Sequence, residues 1–173
     1  MGRNKLLLDL GGQTVVRRAV RAAIDAGVDR VVGVLGNEAD RVRAELVGLD
    51  SDVVVNPDHA QGVGTSLHAG IAHAAADSDA IVVVLADMPF VTAEMIAEVV
   101  RRHRESGARL VLSRYGDVQA PPTLYARDLF AEVLAIPAER CGKQVAKRHG
   151  DEAVVVAWRE AAPHAALERL YER

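Results

Sequence analysis

Short apolar runs alternate with stretches of helical periodicity along the whole chain. Over residues 14–26, Val15, Val16, Ala19, Val20, Ala23 and Ile24 recur at helical spacing with arginines opposite, and Gly27 follows where a helix C-cap belongs. Residues 30–35 are continuous and β-branched, which predicts a buried strand. A charged helix is expected over 38–46, a second strand over Asp52–Val55, and a turn at Asn56-Pro57. Residues 61–65 form a glycine-bearing loop, and 66–76 an alanine-rich helix. The run 80–85 is the clearest strand. Residues 92–106 give a strong helix, with Thr92 as its N-cap and Met95, Ile96, Val99 and Val100 as its apolar stripe. Strands are expected over 110–114, 123–125 and 153–158, helices over 126–134 and 142–149, and a terminal helix over 163–173. Before all of these, residues 5–10 read as a short extended or loop segment closed by Gly11-Gly12.

Strand–helix alternation of this kind predicts parallel strands joined by right-handed crossovers, hence a layered α/β sheet. Ligands of such sheets sit outside the carboxyl ends of the strands. No repeat, low-complexity linker or domain boundary interrupts the pattern, so residues 1–173 read as one domain.

Composition narrows the function classes. Half the residues are apolar but only 3% are aromatic, so the core is expected to consist of small aliphatic side chains. Net charge is −3 with acids and bases mixed throughout, which argues against nucleic acid and anionic membrane as partners. Cys141 is the sole cysteine, so neither an internal disulfide nor a paired-cysteine zinc site is available, and a reducing cytoplasm fits. No apolar run approaches the length needed to cross a bilayer, and the N-terminus does not read as a signal peptide.

Candidate chemistry collects at the expected strand ends. The run 80–85 leads into Asp87-Met88-Pro89, where Pro89 stops the ladder and redirects the chain. An acid delivered there either caps a turn or holds a hard cation such as Mg²⁺, which one or two carboxylates and substrate phosphates commonly bind. Asn56 and the loop Gln61-Gly62-Val63-Gly64-Thr65-Ser66 follow a strand and open a helix. Glycines permit close backbone approach and helix N-termini attract anions, although any tight strand–helix turn can carry the same pattern. Lys5 could offset phosphate charge or be a solvated surface lysine. The six histidines form no set: His68 and His73 are five apart and do not share a helix face, and the others read as surface residues. Cys141, between Arg140 and Lys143, is either a thiol of lowered pKa or an inert cysteine at a helix start. A dinucleotide-binding turn is disfavoured because Leu67 stands where G-x-G-x-x-G has its third glycine.

Taken in order, these segments resemble the MobA-like NTP transferases, with the molybdenum-cofactor cytidylyltransferases as the nearest branch. Met1-Gly2-Arg3-Asn4-Lys5-Leu6-Leu7-Leu8 resembles the end of the opening motif L-A-A-G-x-S-x-R-M-G-x-x-K-L-L-L. Asn56 with Gly62-Val63-Gly64-Thr65-Ser66-Leu67 and Gly70 resembles N…G-x-x-x-S-L-x-x-G, and Leu85-Ala86-Asp87-Met88-Pro89 resembles L-x-D-x-P. The resemblance implies a three-layer, Rossmann-like, mostly parallel sheet of the nucleotide-diphospho-sugar transferase type. It implies a Mg²⁺-dependent nucleotidyltransferase that moves a nucleoside monophosphate from an NTP, CTP favoured over GTP, to a phosphorylated acceptor such as the molybdopterin cofactor, with a molybdoenzyme as a further partner. Lys5 would hold triphosphate oxygens and Asp87 the Mg²⁺. Asn56, Gly62, Gly64 and Ser66 would line the nucleotide or acceptor pocket.

The departures are specific. The L-A-A-G-x-S-x-R part has no counterpart, so the first strand and its phosphate loop are expected to lie upstream of Met1. Ala120-Pro121-Pro122 stands where the cytidylyltransferase branch has G-H-P, and residues 134–143 replace L-x-G-D-x-G-A-R. Either Glu139, offset by one residue, replaces the aspartate of that motif as a second metal ligand, or nothing does. The same fold acting on a sugar phosphate, or a non-catalytic cofactor-holding relative, is the alternative.

Overall fold

The structure, a computed structural model, describes residues 4–159. The expected terminal helix over 163–173 lies outside the described residues, as do Met1, Gly2 and Arg3 of the opening motif.

A short 3-10 turn, Lys5–Leu7, precedes helix α1 (Val15–Asp25). Strand β1 (Val32–Leu35), helix α2 (Ala39–Glu45) and strand β2 (Asp52–Val55) follow. Helix α3 (Val63–Ala74) leads to β3 (Ala80–Val83), and α4 (Ala93–Ser106) to β4 (Leu110–Tyr115). The remaining elements are β5 (Val118–Gln119), β6 (Thr123–Ala126), α5 (Phe130–Ala135), α6 (Cys141–His149) and β7 (Val154–Trp158).

Helix ends follow local chemistry. Thr92 Oγ1 accepts a hydrogen bond from the Met95 amide and caps α4. Gly107, in the left-handed region at φ 67°, closes that helix, a conformation that costs a Cβ-bearing residue strain.

The expected layers are present. Along β4, Leu110 and Leu112 turn toward α3, α5 and α6, where they pack with Ile71, Val133 and Val145. Val111 turns the opposite way and packs with Val99 of α4 and with Leu124 and Val156. Period-two alternation therefore buries β4 on both faces. Helices α1 and α2 cover β1 through Val16, Val20, Val42 and Leu46 against Leu35, whereas α3 approaches β1 on the other side, where Gly70 leaves room for Val34.

The α/β class holds, but strand directions are mixed where the alternation predicts a mostly parallel sheet. Pairs β1–β2 and β4–β7 are parallel. Pairs β3–β6, β4–β6 and β4–β5 are antiparallel. The reason is topological: β4 and β6 are joined without a crossover helix, through the hairpin strand β5, and a direct return can only be antiparallel. β6 then inserts between β3 and β4.

Among the described residues the sheet is also in two pieces, β1–β2 and a five-stranded piece. β1 pairs with β2 alone and β3 with β6 alone. Helix α3 packs against β1, β2 and β3, so both pieces lie under one helix.

Candidate functional site

Four chain segments meet at the end of α1 where that helix begins. Leu6 and Leu7 pack into the cluster formed by Val16, Leu35 and Val42, and Ala86 joins the same cluster. Lys5 precedes that pair of leucines and Asp87 follows Ala86, so the segments carrying both candidate groups share the cluster that Leu35, at the end of β1, joins. The Asn56 amide donates to the Leu35 carbonyl at 2.7 Å, which brings the end of β2 to the same edge.

Asp87 is exposed on a turn whose next two residues, Met88 and Pro89, are buried. The Met88 amide donates to the Leu85 carbonyl at 3.0 Å and the Val91 amide to the Met88 carbonyl at 3.1 Å. Met88 is 1% exposed, wedged among Val91, Met95 and Ile96. A buried apolar anchor thus carries a solvent-facing carboxylate, and no ion pair engages Asp87 among the described residues.

Lys5 is exposed and sits in the 3-10 turn that Asn4 caps, Asn4 Oδ1 accepting from the Leu6 amide at 3.1 Å. The Asn4 side chain also lies near enough to Glu38 to influence its carboxyl. Glu38 follows β1 in the left-handed region, at φ 53°, which is uncommon for a residue with a Cβ. The Arg41 guanidinium and then the Asn4 amide hold the Glu38 carboxyl below its usual range. Sequence reasoning missed Glu38; a Gly-Asn pair directly after a strand, Gly36-Asn37, was the available signal. Gly36 itself is a close approach, since a Cβ there would lie 2.5 Å from the His59 Cβ.

Asn56, Gly64 and Ser66 serve the frame of the site. Asn56 is 3% exposed. Its Nδ2 donates to Thr65 Oγ1 at 2.8 Å and to Ser66 Oγ at 3.1 Å, while its Oδ1 accepts from the Asp58 amide at 3.0 Å. The side chain therefore ties the end of β2 to the first turn of α3. Gly64 lies within α3, two residues past the N-cap Gly62, so the expected loop 61–65 is half helical. A Cβ on Gly64 would fall 1.6 Å from the Ala138 carbonyl oxygen. The close approach that this glycine permits is to the protein's own backbone. Gly62 is exposed at φ +122° and gives α3 its entry angle.

The Ala138 contact places the segment that replaces L-x-G-D-x-G-A-R directly over the start of α3, with Glu139 exposed beside it. On the hairpin side, Ser113 is fully buried and its Oγ donates to the Pro122 carbonyl at 2.7 Å. The Tyr115 hydroxyl donates to the Pro121 carbonyl at 3.0 Å. The departure from G-H-P is thus a rigidly held corner between β5 and β6.

Of the described histidines, His59 adjoins this constellation, lying over Gly36 with its Nδ1 3.3 Å from the Asn56 carbonyl oxygen, and others are engaged elsewhere. His68 bonds the Val133 carbonyl, His103 the Ala108 carbonyl and His149 the Glu132 carboxylate. Among the described residues no three His, Cys, Asp or Glu side chains gather as a metal cage, and no helix is long and apolar enough to cross a membrane.

The chain is similar to known proteins over nearly its whole length. The bifunctional protein GlmU of Synechococcus sp. strain RCC307 is 31% identical over 130 residues, covering 74% of this chain and 28% of that protein. The chain therefore spans little more than a quarter of that relative's length. Rv0371c of Mycobacterium tuberculosis H37Rv superposes with a TM-score of 0.85 at 24% identity, covering 100% of this chain and 91% of that one. The manganese complex of Rv0371c gives a TM-score of 0.78 at 25% identity, with 91% and 83% covered. A nucleotidyl transferase from Methanothermobacter gives a TM-score of 0.78 at 24% identity, with 97% and 83% covered. The MobA-like NTP transferase domain matches residues 1–166. With the Lys5 and Asp87 segments at one sheet edge and that match across the chain, the protein belongs to the MobA-like NTP transferase family of nucleotidyltransferases.

Proposed function

We propose that the protein transfers a nucleoside monophosphate from an NTP, CTP in preference to GTP, to a phosphate of a small acceptor of the molybdopterin type, releasing pyrophosphate. The observation that carries this reading is the exposed Asp87 carboxylate on a turn anchored by buried Met88 and Pro89, beside the segment that presents Lys5. Transfer of this kind needs charge neutralisation and alignment more than a protein nucleophile.

The donor set fits Mg²⁺. A single accessible carboxylate without a surrounding cage suits an ion that keeps waters and takes phosphate oxygens, as Mg²⁺ does, and it does not suit an all-protein site. Asp87 would hold the cation, with Glu139 as the second carboxylate within the covering segment. When bound, the ion supplies Lewis-acid neutralisation of phosphate charge. The chain's own groups do the rest. Lys5 holds triphosphate oxygens and offsets their charge. Asn56 and Ser66 fix the start of α3, and Gly62 gives the turn its entry. The acceptor's phosphate oxygen attacks the α-phosphorus, the α–β bridging bond breaks, and pyrophosphate leaves with that electron pair.

Among the described residues β1 pairs with β2 and β3 with β6, which leaves one edge of each available to a further strand. The acceptor side departs from the cytidylyltransferase branch at Pro121-Pro122 and over residues 134–143, which keeps the same chemistry on a sugar phosphate as the second reading. A cytoplasmic location follows from these substrates, and a molybdoenzyme would be the downstream partner of a cofactor product.

Calorimetric titration with CTP and then GTP, with and without Mg²⁺, tests the reading. Metal-dependent binding of one nucleotide is expected, and Asp87→Asn should weaken it at least tenfold and abolish turnover at an unchanged melting temperature. Undiminished metal-dependent binding by Asp87→Asn would remove Asp87 from the mechanism.

A further inference from the structure

Helix α1 grips both halves of the candidate site. The Val15 amide donates to the Leu8 carbonyl at 2.9 Å, in the segment that carries Lys5. Arg18 lies three residues on, on the same face of the helix, and its Nε donates to the Pro89 carbonyl at 3.0 Å, two residues past Asp87. The neighbouring Arg17 turns the other way and bonds the Glu45 and Val47 carbonyls at the end of α2.

Met88 is buried against α4, and the two backbone bonds at Leu85 and Met88 close the Asp87 turn on itself. Ala22, Ala23 and Ala26, at the far end of α1, pack against the Met88 cluster, and Arg18 adds a polar bond from α1 to the turn backbone; it makes no ion pair among the described residues. A charged donor on a carbonyl is stronger than a neutral one, so this bond can fix the turn although Arg18 is itself exposed.

We propose that Arg18 is a positioning residue: from the first turns of α1 it clamps the Pro89 carbonyl and sets the Asp87 carboxylate in register with Lys5. The proposal rests on the reading of Asp87 as the metal carboxylate. It assigns a role to one of the arginines that the sequence pattern places on the solvated side of α1.

The test is native-state amide exchange at Met88 and Val91, whose N–H groups close the Asp87 turn, in the wild-type chain, Arg18→Met and Arg18→Lys. Met keeps helix propensity and removes the donor, whereas Lys retains one. Exchange at both amides should rise about tenfold in Arg18→Met, with Val99 in α4 unchanged, and should return most of the way in Arg18→Lys. Mn²⁺-dependent binding of CTP or GTP should weaken about tenfold in Arg18→Met while metal-free binding holds. Unchanged exchange at Met88 and Val91 overturns the proposal whatever the nucleotide data show. Loss of Mn²⁺ dependence in Asp87→Asn but not in Arg18→Met sinks the positioning role and spares the reading of Asp87. Full Mn²⁺ dependence in Asp87→Asn sinks that reading, and the positioning role falls with it.

Discussion

Gly64 shows how a single residue can carry a correct motif and a different physical reason. A glycine at a strand–helix turn signals that some backbone or ligand comes close, because only a missing Cβ leaves the space. The sequence does not say which. Here the visitor is the Ala138 carbonyl. Gly64→Ala would drive a methyl into fixed backbone at both ends, and overpacking of this kind costs about 1–3 kcal/mol. A fall in melting temperature of several degrees is therefore expected for Gly64→Ala. A melt indistinguishable from wild type would mean that the segment over α3 yields freely. Asn56 follows the same logic: its place beside the site is readable from its motif, whereas its commitment to Thr65, Ser66 and Asp58 needs coordinates.

At the scale of elements, legibility tracks the source of the signal. Helix α4 was readable to within a residue because its stripe, its Thr92 cap and its Gly107 terminus are local. Strand positions were readable too, since short apolar runs mark β1, β3 and the start of β4. Strand direction was not, because it is set by partners distant in sequence, and β5 is a two-residue strand with no periodicity to detect. The junction of α5 and α6 is another long-range feature. Glu132 of α5 accepts from His149 at 2.7 Å and from Arg148 at 3.0 Å, both on α6. The His149 bond first, and then the Arg148 bond, lowers the Glu132 pKa from its ordinary 4.5. A depressed carboxylate contributes stability that is fully present above the unfolded value and is lost as pH falls through the folded one. With the Glu132 side chain 25% exposed, the contribution is discounted to about 1 kcal/mol or less. Glu132→Gln should thus be slightly less stable than wild type at pH 6, and the gap should close below pH 4.5 in denaturant melts. A gap that persists at low pH would assign the effect to packing.

For the whole molecule, the break between β1–β2 and the larger sheet is the feature that ties fold to activity. β4 has neighbours on both edges, β6 on one and β7 on the other, and is buried on both faces. Among the described residues β1 pairs with β2 and with no strand of the larger sheet, so its hold on the fold rests on helices α1, α2 and α3. Opening should therefore be subglobal: amides of Val32–Leu35 and Ala80–Val83 are expected to exchange well before those of Leu110–Tyr115. An extended segment lying between β1 and β3 would pair both of these edges at once. Joining a segment with the family's opening motif L-A-A-G-x-S-x-R ahead of Met1 should slow exchange in β1 and β3 together and tighten metal-dependent nucleotide binding in the same samples. Coupled gains would show that sheet continuity and the phosphate site are one structural event. Tighter binding without added protection would locate the phosphate turn outside the sheet, and protection in β1 already equal to that of β4 would leave no strand to be filled in.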